Sequence, residues 1–528
     1  MALSLSVPTT IRSLPKEVET NPKKAKAWIE SLPLTKTVES TRTITEVIEA
    51  LNHAKMPAEE RMALVEIYRP VAAVLLDELE AIYAYSSLPL PPKQREAFDL
   101  ANKLLVQCGY AYKMLVLEKS GKSLFFNARK NLPIPLYRAM FYLRELMLQS
   151  YKTYHPVPPG VWQEMHSMYL YAAEHELLAE VADAETSSTM MDVYVDVTMA
   201  SLADPYRLMF QEVDRVLDIL KQNRGLVDMR TNADGLNPQR LFVVALDSDQ
   251  APKVLIQGGR PPAGQVLKLV DPGRLVEKIQ QRLRALSGAQ QGAAVAAKSR
   301  ATHDLADLMA RLIRLWGDPP KRQFRRNPAD SSVALCSGIK AISYFTELAS
   351  REDPEADAQA IRDGDTIPLL KIPQDPMSQM IGVEEWHVLN QSANGLRMHR
   401  ESGGNVSITV GETVGVRFVG GRTWNVGVVR WLTLLEGDAL EFGVELVAPA
   451  AISITIEATI GSNGKPVPAL MLFPLVPDAE SDTVLTNTDT FSDLREFEIN
   501  AAGDLLCVRA TTLVERTSRF DMFQFQTS

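Results

Sequence analysis

The chain has 528 residues, 46% of them apolar and 23% charged, which is the composition of a globular protein with several domains. A net charge of −9 argues against a general nucleic-acid binder and against a membrane-surface protein, because both attract phosphates with a positive field. The three cysteines are widely separated and fit neither a disulfide framework nor a zinc site. The sequence shows no secretory signal pattern and no run of about 18 consecutive apolar residues. We therefore expect a cytoplasmic protein with no membrane insertion.

Residues 1–226 are predicted to form an all-α region. Between positions 64 and 82, apolar residues recur at steps of three and four, which places them on one helical face, and Pro70 is expected to kink or split this helix. The same spacing recurs at Leu136, Met140, Leu143 and Met147. A later helix is expected to begin with Asp204 as its N-cap and Pro205 in its first turn, and to continue for several turns.

Residues 227–316 are predicted to hold a β-hairpin, two helices and a linker. The expected elements are strands at 241–246 and 253–256, helices at 275–286 and 305–316, and a small-residue linker at 287–298. Gly317, followed by Pro319 and Pro320, is the typical punctuation at the end of a helix. We therefore predict the clearest domain boundary of the chain at this point.

Beyond the boundary the chain is predicted to be mostly β-structure, because short runs rich in Val, Ile, Thr and Trp alternate with Gly and Asn. Residues 317–450 are assigned to a first β domain and residues 451–528 to a smaller one. Strands of the smaller domain are expected at 452–456, 469–473, 505–510 and 523–525. Residues 350–380 are acidic, polar and proline-bearing, so we expect a surface excursion there.

Two motifs and a pair of strands stand out in the first β domain. The first motif is a basic segment formed by Lys321, Arg322, Arg325 and Arg326. Further along, Asn390, Ser392 and Gly395 have the spacing NxSxxG, and the runs 424–431 and 442–446 are typical of strands. In this order the features resemble PilZ domains, whose RxxxR and [D/N]xSxxG motifs precede paired strands that close a β-barrel.

The resemblance implies an α+β multidomain protein in which the helical region is followed by a PilZ-type antiparallel β-barrel and a smaller C-terminal β domain. It also implies a bacterial receptor for the second messenger cyclic-di-GMP, with links to biofilm and motility control and with no other cofactor. The arginine pair is Arg322 with Arg326 or, as a poorer match, Lys321 with Arg325. The two motifs lie further apart than is usual in the family, so the acidic segment 350–380 is expected to be an insertion.

The chemistry of the ligand suits these residue types. Cyclic-di-GMP has two phosphates and two guanines, and arginine forms bidentate bonds with phosphate oxygens and with guanine O6 and N7. Asn390 and Ser392 lie two apart, so on a strand both would face one side, towards a guanine edge and a phosphate. Gly395 is expected to adopt positive φ in the turn that follows, which lets the ligand approach the backbone.

No catalytic or metal-binding residue is predicted. His166 and His175 lie nine positions apart on a predicted helix, so they point in opposite directions, and Asp247 and Asp249 fall in a predicted hairpin turn. The sequence contains neither a glycine-rich phosphate loop nor a nucleophile elbow. We therefore predict a receptor, not an enzyme, that couples ligand binding to its helical region and an unidentified protein partner. The alternative is an interaction scaffold whose degenerate barrel binds nothing.

Overall fold

The fold was analysed in a computed structural model. It describes residues 3–11, 19–121, 132–183, 187–209, 211–232, 241–255, 266–288, 300–318, 326–350, 381–401, 403–404, 406–459, 466–474, 482–501 and 503–527. Within these ranges a helical region is followed by two closed six-stranded antiparallel barrels. The predicted α+β order, with helices first, then a β-barrel and then a smaller β domain, is confirmed.

Eleven α-helices occur in the described part of the chain. They are α1 (Pro22–Glu30), α2 (Thr37–His53), α3 (Ala58–Tyr83), α4 (Pro92–Gly121), α5 (Pro133–Lys152), α6 (Val161–Glu174), α7 (Met190–Leu202), α8 (Glu212–Gln222), α9 (Gly273–Gly288), α10 (Arg300–Gly317) and α11 (Ile339–Ser350). All except α11 precede the first barrel. None of them is long and apolar enough to cross a membrane.

Pro70 does not split α3, which runs as one helix through this position. The proline is exposed, whereas Tyr68, Val71 and Leu75 on the opposite face are buried in the helical core. Tertiary packing of this face compensates for the backbone hydrogen bond that proline cannot donate.

A helical turn does begin after Asp204, but the prediction that it continues as one helix through the following residues is wrong. Residues Pro205–Arg207 form a single 3-10 turn, and α8 begins only at Glu212. Asp204 has a left-handed backbone (φ 56°) and makes no side-chain cap bond, because its carboxylate pairs instead with Nε of Arg207 at 2.8 Å. Leu208 is extended and accepts a hydrogen bond from the hydroxyl of Tyr154 at 2.7 Å, which fixes the exit from the turn.

A small four-stranded sheet packs on the helices. Its strands are β3 (Asp228–Arg230), β4 (Phe242–Ala245), β5 (Lys253–Val254) and β6 (Leu267–Asp271), in the order β3-β6-β4-β5, and an earlier hairpin pairs β1 (Val181–Asp183) with β2 (Ser188–Thr189). One buried core extends from Leu5 through this sheet to Trp316 in α10. Asp249, in the turn between β4 and β5, accepts hydrogen bonds from the backbone N–H groups of Gly160 (2.6 Å) and Gln163 (3.1 Å). This carboxylate therefore caps α6, which is a structural role.

The first barrel is closed in the strand order β10-β11-β12-β9-β8-β7. Its strands are β7 (Asn327–Ser337), β8 (Glu384–Gln391), β9 (Gly395–Arg400), β10 (Thr413–Phe418), β11 (Asn425–Leu434) and β12 (Leu440–Ala448). The paired strands predicted from the two hydrophobic runs are β11 and β12. Residues 351–380, where we expected a surface excursion, lie outside the described ranges, as does most of the predicted linker at 287–298.

The smaller C-terminal β domain is itself a closed barrel, in the order β13-β14-β15-β18-β17-β16. Its strands are β13 (Ala451–Ala458), β14 (Val467–Leu472), β15 (Thr483–Asn487), β16 (Glu496–Ala501), β17 (Asp504–Arg516) and β18 (Phe520–Thr527). Helix α11 packs between the two barrels, where its Ile342 and Phe345 share a buried core with Trp424 of the first barrel and Leu470 of the second.

The helical region fills one end of the first barrel. Leu88, Leu90 and Tyr154 are buried in the same core as the inward-facing residues of the barrel strands. Backbone hydrogen bonds join Leu88 and Ile408 in both directions (3.2 and 3.1 Å), and the N–H of Leu434 donates to the carbonyl of Tyr154 at 2.9 Å. Helical region and barrel therefore share apolar core and backbone hydrogen bonds.

We expect Leu88→Ala to destabilise the helical region and the first barrel together. The substitution leaves a cavity in their shared core and should cost about 2–5 kcal/mol, which lowers the melting temperature. Hydrogen exchange resolved by mass spectrometry, recorded as the temperature is raised, follows peptides of the helices and of the barrel separately. Val74→Ala is the matched control, because Val74 is 49% exposed on α3. Two transitions that separate in the Leu88 variant would contradict a shared core.

Candidate ligand-binding cleft

The pairing of β7 with β8 brings Arg326 and the second predicted motif together. Asn327, the first residue of β7, lies opposite Gln391 at the end of β8, and Pro328 lies opposite Asn390. Arg326 immediately precedes β7, so it is held beside the β8–β9 turn that contains Ser392. A long stretch of sequence separates Arg326 from Asn390. Antiparallel pairing of β7 with β8 nevertheless brings these two residues close together.

A cleft of about 290 Å³ opens on the outside of the barrel at this point. It is lined by Arg207, Arg326, Asn390, Ser392, Asn394, Gly395, Leu396, Arg430, Trp431, Gly443, Val444 and Glu445. Four of the seven residues predicted for the site thus line one cleft. The other three, Lys321, Arg322 and Arg325, lie outside the described residues.

Two β-bulges turn polar side chains out of the barrel and into this cleft. In β8, Trp386 and Val388 point into the core, and simple alternation would send Asn390 inward as well. The register shifts between Val388 and Asn390, so the extra residue resets the alternation. Asn390 is accordingly half-buried at the cleft. Bulges that re-aim a side chain in this way are common next to functional sites.

The second bulge lies in β11, on the other side of the cleft. Val429 and Leu432 both point into the barrel core, although they are three residues apart. The register shift between Val429 and Trp431 accounts for this, because it places Arg430 and Trp431 together outside the core. The sequence predicted this strand but not its cleft residues. The apolar pattern of the run does not indicate where a bulge reverses the inward and outward alternation of side chains.

Ser392 does not lie on the strand as predicted. It follows the last residue of β8, in the turn to β9, where its backbone N–H donates to the carbonyl of Gly395 at 2.8 Å. The expectation that Asn390 and Ser392 share a strand face is therefore wrong in its geometry. Both side chains nevertheless line the same cleft.

Gly395 also differs from expectation, because it begins β9 and is not among the residues with positive φ. The reason for a glycine here is space. A Cβ at this position would lie 2.9 Å from the hydroxyl oxygen of Ser392. A larger residue here would force the hydroxyl of Ser392 to move away from its present position in the turn.

The floor of the cleft is formed by Trp431 lying on Gly443. These residues face each other across β11 and β12, and a Cβ on Gly443 would overlap the indole ring. Trp431 is only partly buried, so it presents aromatic surface to the cleft.

Arg430 is held by carboxylates on both of its sides. Its Nε donates to Glu445 of the same barrel at 2.7 Å, and its Nη2 donates to Glu515 of the second barrel at 2.9 Å. Burial alone would lower the pKa of Arg430, but the charges and hydrogen bonds of Glu515 and Glu445 outweigh it and raise the pKa above its usual range. Arg430 therefore stays charged and ties the two barrels together beside the cleft.

The other polar candidates have structural roles. The imidazole of His166 is buried, with Nδ1 2.8 Å from the hydroxyl of Tyr194 and Nε2 3.0 Å from the carbonyl of Gln250. His175 stacks on Tyr171. Across the described ranges, no group of three or more His, Cys, Asp or Glu residues could hold a metal ion.

Comparison with family models matches the chain in three consecutive parts. Residues 23–233 match the N-terminal domain of the cyclic-di-GMP receptor FimW, residues 241–353 and 373–452 match its middle PilZ domain, and residues 452–528 match its C-terminal beta-barrel domain. The resemblance noted in the first β domain thus extends to the helical region and the second barrel. The gap in the middle match falls within the acidic segment for which an insertion was predicted.

A curated relative is similar to this chain along its whole length. It is the cyclic-di-GMP receptor FimW of Pseudomonas aeruginosa, 23% identical over 576 aligned residues that cover all of this chain and 94% of the relative. The comparison with solved structures gave no match.

Gly443→Ala should displace Trp431 and close part of the cleft. The added methyl group overlaps the indole, and overpacking of this kind costs about 1–3 kcal/mol. We expect a lower melting temperature and a changed tryptophan emission spectrum. In Gly109→Ala the new Cβ meets Tyr142 at an ordinary 3.7 Å inside helix α4, so this control should leave the emission spectrum unchanged and should not lower the melting temperature. If Gly443→Ala keeps the melting temperature and the emission spectrum of the wild type, the indole does not rest on this glycine.

Proposed function

Since this chain belongs to a family of PilZ-domain receptors, we propose that it is a cyclic-di-GMP receptor whose ligand binds in the cleft beside the β8–β9 turn. The observation that carries the proposal is the convergence of Arg326, Asn390 and Ser392 on one cleft. These residues come from two motifs that are separated in sequence and joined by strand pairing. The proposed activity is binding, not catalysis, and the proposed location is the cytoplasm.

Each cleft residue has a role that its chemistry suits. The guanidinium of Arg326 bonds a phosphate or the O6 and N7 edge of a guanine, since both accept its forked donors. Asn390 offers an amide to a guanine edge, and the hydroxyl of Ser392 donates to a phosphate oxygen. The exposed face of Trp431 stacks on a base, as aromatic side chains commonly do.

The basic segment ahead of Arg326 completes this proposal. Lys321, Arg322 and Arg325 lie within five positions of Arg326 in the sequence, so we propose that they contribute to binding the same ligand. Two phosphates would neutralise much of their mutual repulsion. We propose that Arg322 and Arg326 are the principal contacts of this segment with the ligand.

Signal transfer to the helical region is proposed to be local. A hinge between the helical region and the barrel would have to break the apolar core that contains Leu88 and Tyr154. A ligand bound in the cleft leaves this core intact and changes the charge of the surface offered to a protein partner.

The purified protein should bind cyclic-di-GMP, and Arg326→Ala or Asn390→Ala should weaken binding. Loss of a charge-assisted hydrogen bond costs about 1.5–3 kcal/mol, or about tenfold to a hundredfold in affinity, and loss of a neutral one costs less. The same loss is expected for Arg322→Ala. Isothermal titration calorimetry measures each affinity directly.

Arg422→Ala is the matched control, because Arg422 is an exposed arginine of the same barrel that does not line the cleft. Its affinity should equal that of the wild type. Absence of binding by the wild type would favour the scaffold with a degenerate barrel. Binding that survives in Arg326→Ala, Arg322→Ala and Asn390→Ala would place the ligand elsewhere.

A further inference from the structure

One arginine of the cleft comes from the helical region and belongs to neither motif. Arg207 ends the 3-10 turn between α7 and α8, yet it lines the same cleft as Arg326, Asn390 and Ser392. It also lines a neighbouring cleft of about 490 Å³, where the helical region meets both barrels. Arg207 is thus a positively charged residue of the helical region that lies at the cleft of the barrel.

The turn that carries Arg207 is supported on both sides. The hydroxyl of Tyr206 donates to the carbonyl of His155 at 3.2 Å, and the carbonyl of Leu208 accepts from the hydroxyl of Tyr154. Tyr154 is itself bonded to β11 through the N–H of Leu434. A side chain on such a support reaches its target with little loss of backbone entropy.

The turn also touches the barrel directly. Met209, two residues after Arg207, lies against Gly411, where a Cβ would come within 2.9 Å of its sulfur. The positive φ of Gly411 (83°) further restricts this position to glycine. Close packing on this side fixes the distance between the turn and the barrel wall.

Charge distinguishes Arg207 from Arg430, the other cleft arginine outside the motifs. Arg430 is held by carboxylates from both barrels, so an entering phosphate would have to compete with them. Arg207 pairs with Asp204, and both side chains are about half exposed (51% and 42%). An exposed pair of this kind is weak, so exchanging the carboxylate for a phosphate costs little.

We propose that Arg207 is a ligand-positioning residue that binds a phosphate of the dinucleotide from the helical side of the cleft. This inference rests on the proposed function, because it names an additional contact of the same site. The phosphate then lies between Arg207 of the helical region and Arg326 of the barrel. Ligand binding adds a charged bridge between the two parts without any domain rotation.

The test is the affinity of Arg207 variants for cyclic-di-GMP by calorimetry. Arg207→Ala should bind about tenfold more weakly than the wild type. Arg207→Lys should lie between the two, because lysine keeps the charge but loses the bidentate fork. Arg215→Ala is the matched control, since Arg215 lines the neighbouring cleft but not the ligand cleft. Its affinity should be unchanged.

A second measurement separates contact from fold damage. Melting temperatures without ligand should be equal for the wild type and Arg207→Ala. Hydrogen exchange on the wild type should show added protection of residues 203–209 at saturating cyclic-di-GMP. Added salt should weaken wild-type binding more than that of Arg207→Ala, because it screens the phosphate contact.

The outcomes distinguish this inference from the proposed function. If the wild type does not bind, the proposed function fails and the inference fails with it. If the wild type binds and Arg326→Ala weakens it, but Arg207→Ala binds like the wild type, only the inference is overturned. Absence of added protection at residues 203–209 in the wild type would overturn it equally.

Discussion

Backbone hydrogen bonds between β7 and β8 set Asn327 opposite Gln391, and the candidate site depends on this register. The pairing fixes where Arg326 enters the barrel and places it beside the turn that holds Ser392. A slip of one residue would send every side chain of β7 to the other face of the sheet. The buried residues Val333 and Leu335 of β7 resist such a slip, since it would exchange them with the smaller Ala334 and Cys336, which face the core beside α11. The core of the barrel therefore determines the geometry of a site on its outer surface.

The cleft owes its polar character to the two bulges and its charge balance to one carboxylate. Glu445 accepts hydrogen bonds from Arg430 (2.7 Å) and from the side-chain amide of Asn394 (3.3 Å). It thereby neutralises one cation and orients the turn between β8 and β9. Arg326 of the barrel and Arg207 of the helical region line the same cleft.

Local patterns in the sequence were sufficient for the order of the domains and for part of the site. Arg326 and Asn390 could be identified because their motifs are short and occur in a recognisable order. Arg207 and Arg430 could not, because one reaches the cleft through packing between regions and the other through a bulge. The prediction of a continuous helix from Asp204 was wrong for a related reason. Tertiary hydrogen bonds, not helix propensity, determine the backbone conformation up to Leu208. Sequence periodicity reports which residues are buried along one element, and it does not report where two elements meet.

The burial of Leu88, Leu90 and Tyr154 inside the barrel also bears on how such a receptor can evolve. A domain that recombines with different neighbours can be pictured as a cassette. Here the cassette would leave behind the side chains that fill one of its ends, and a new neighbour would have to supply apolar groups of similar shape. A gene fusion at this junction therefore requires a new neighbour whose apolar side chains fill the end of the barrel, and a linker alone is not sufficient. We expect natural lineages of this architecture to inherit the helices and the barrel as one unit and to diversify at exposed loops.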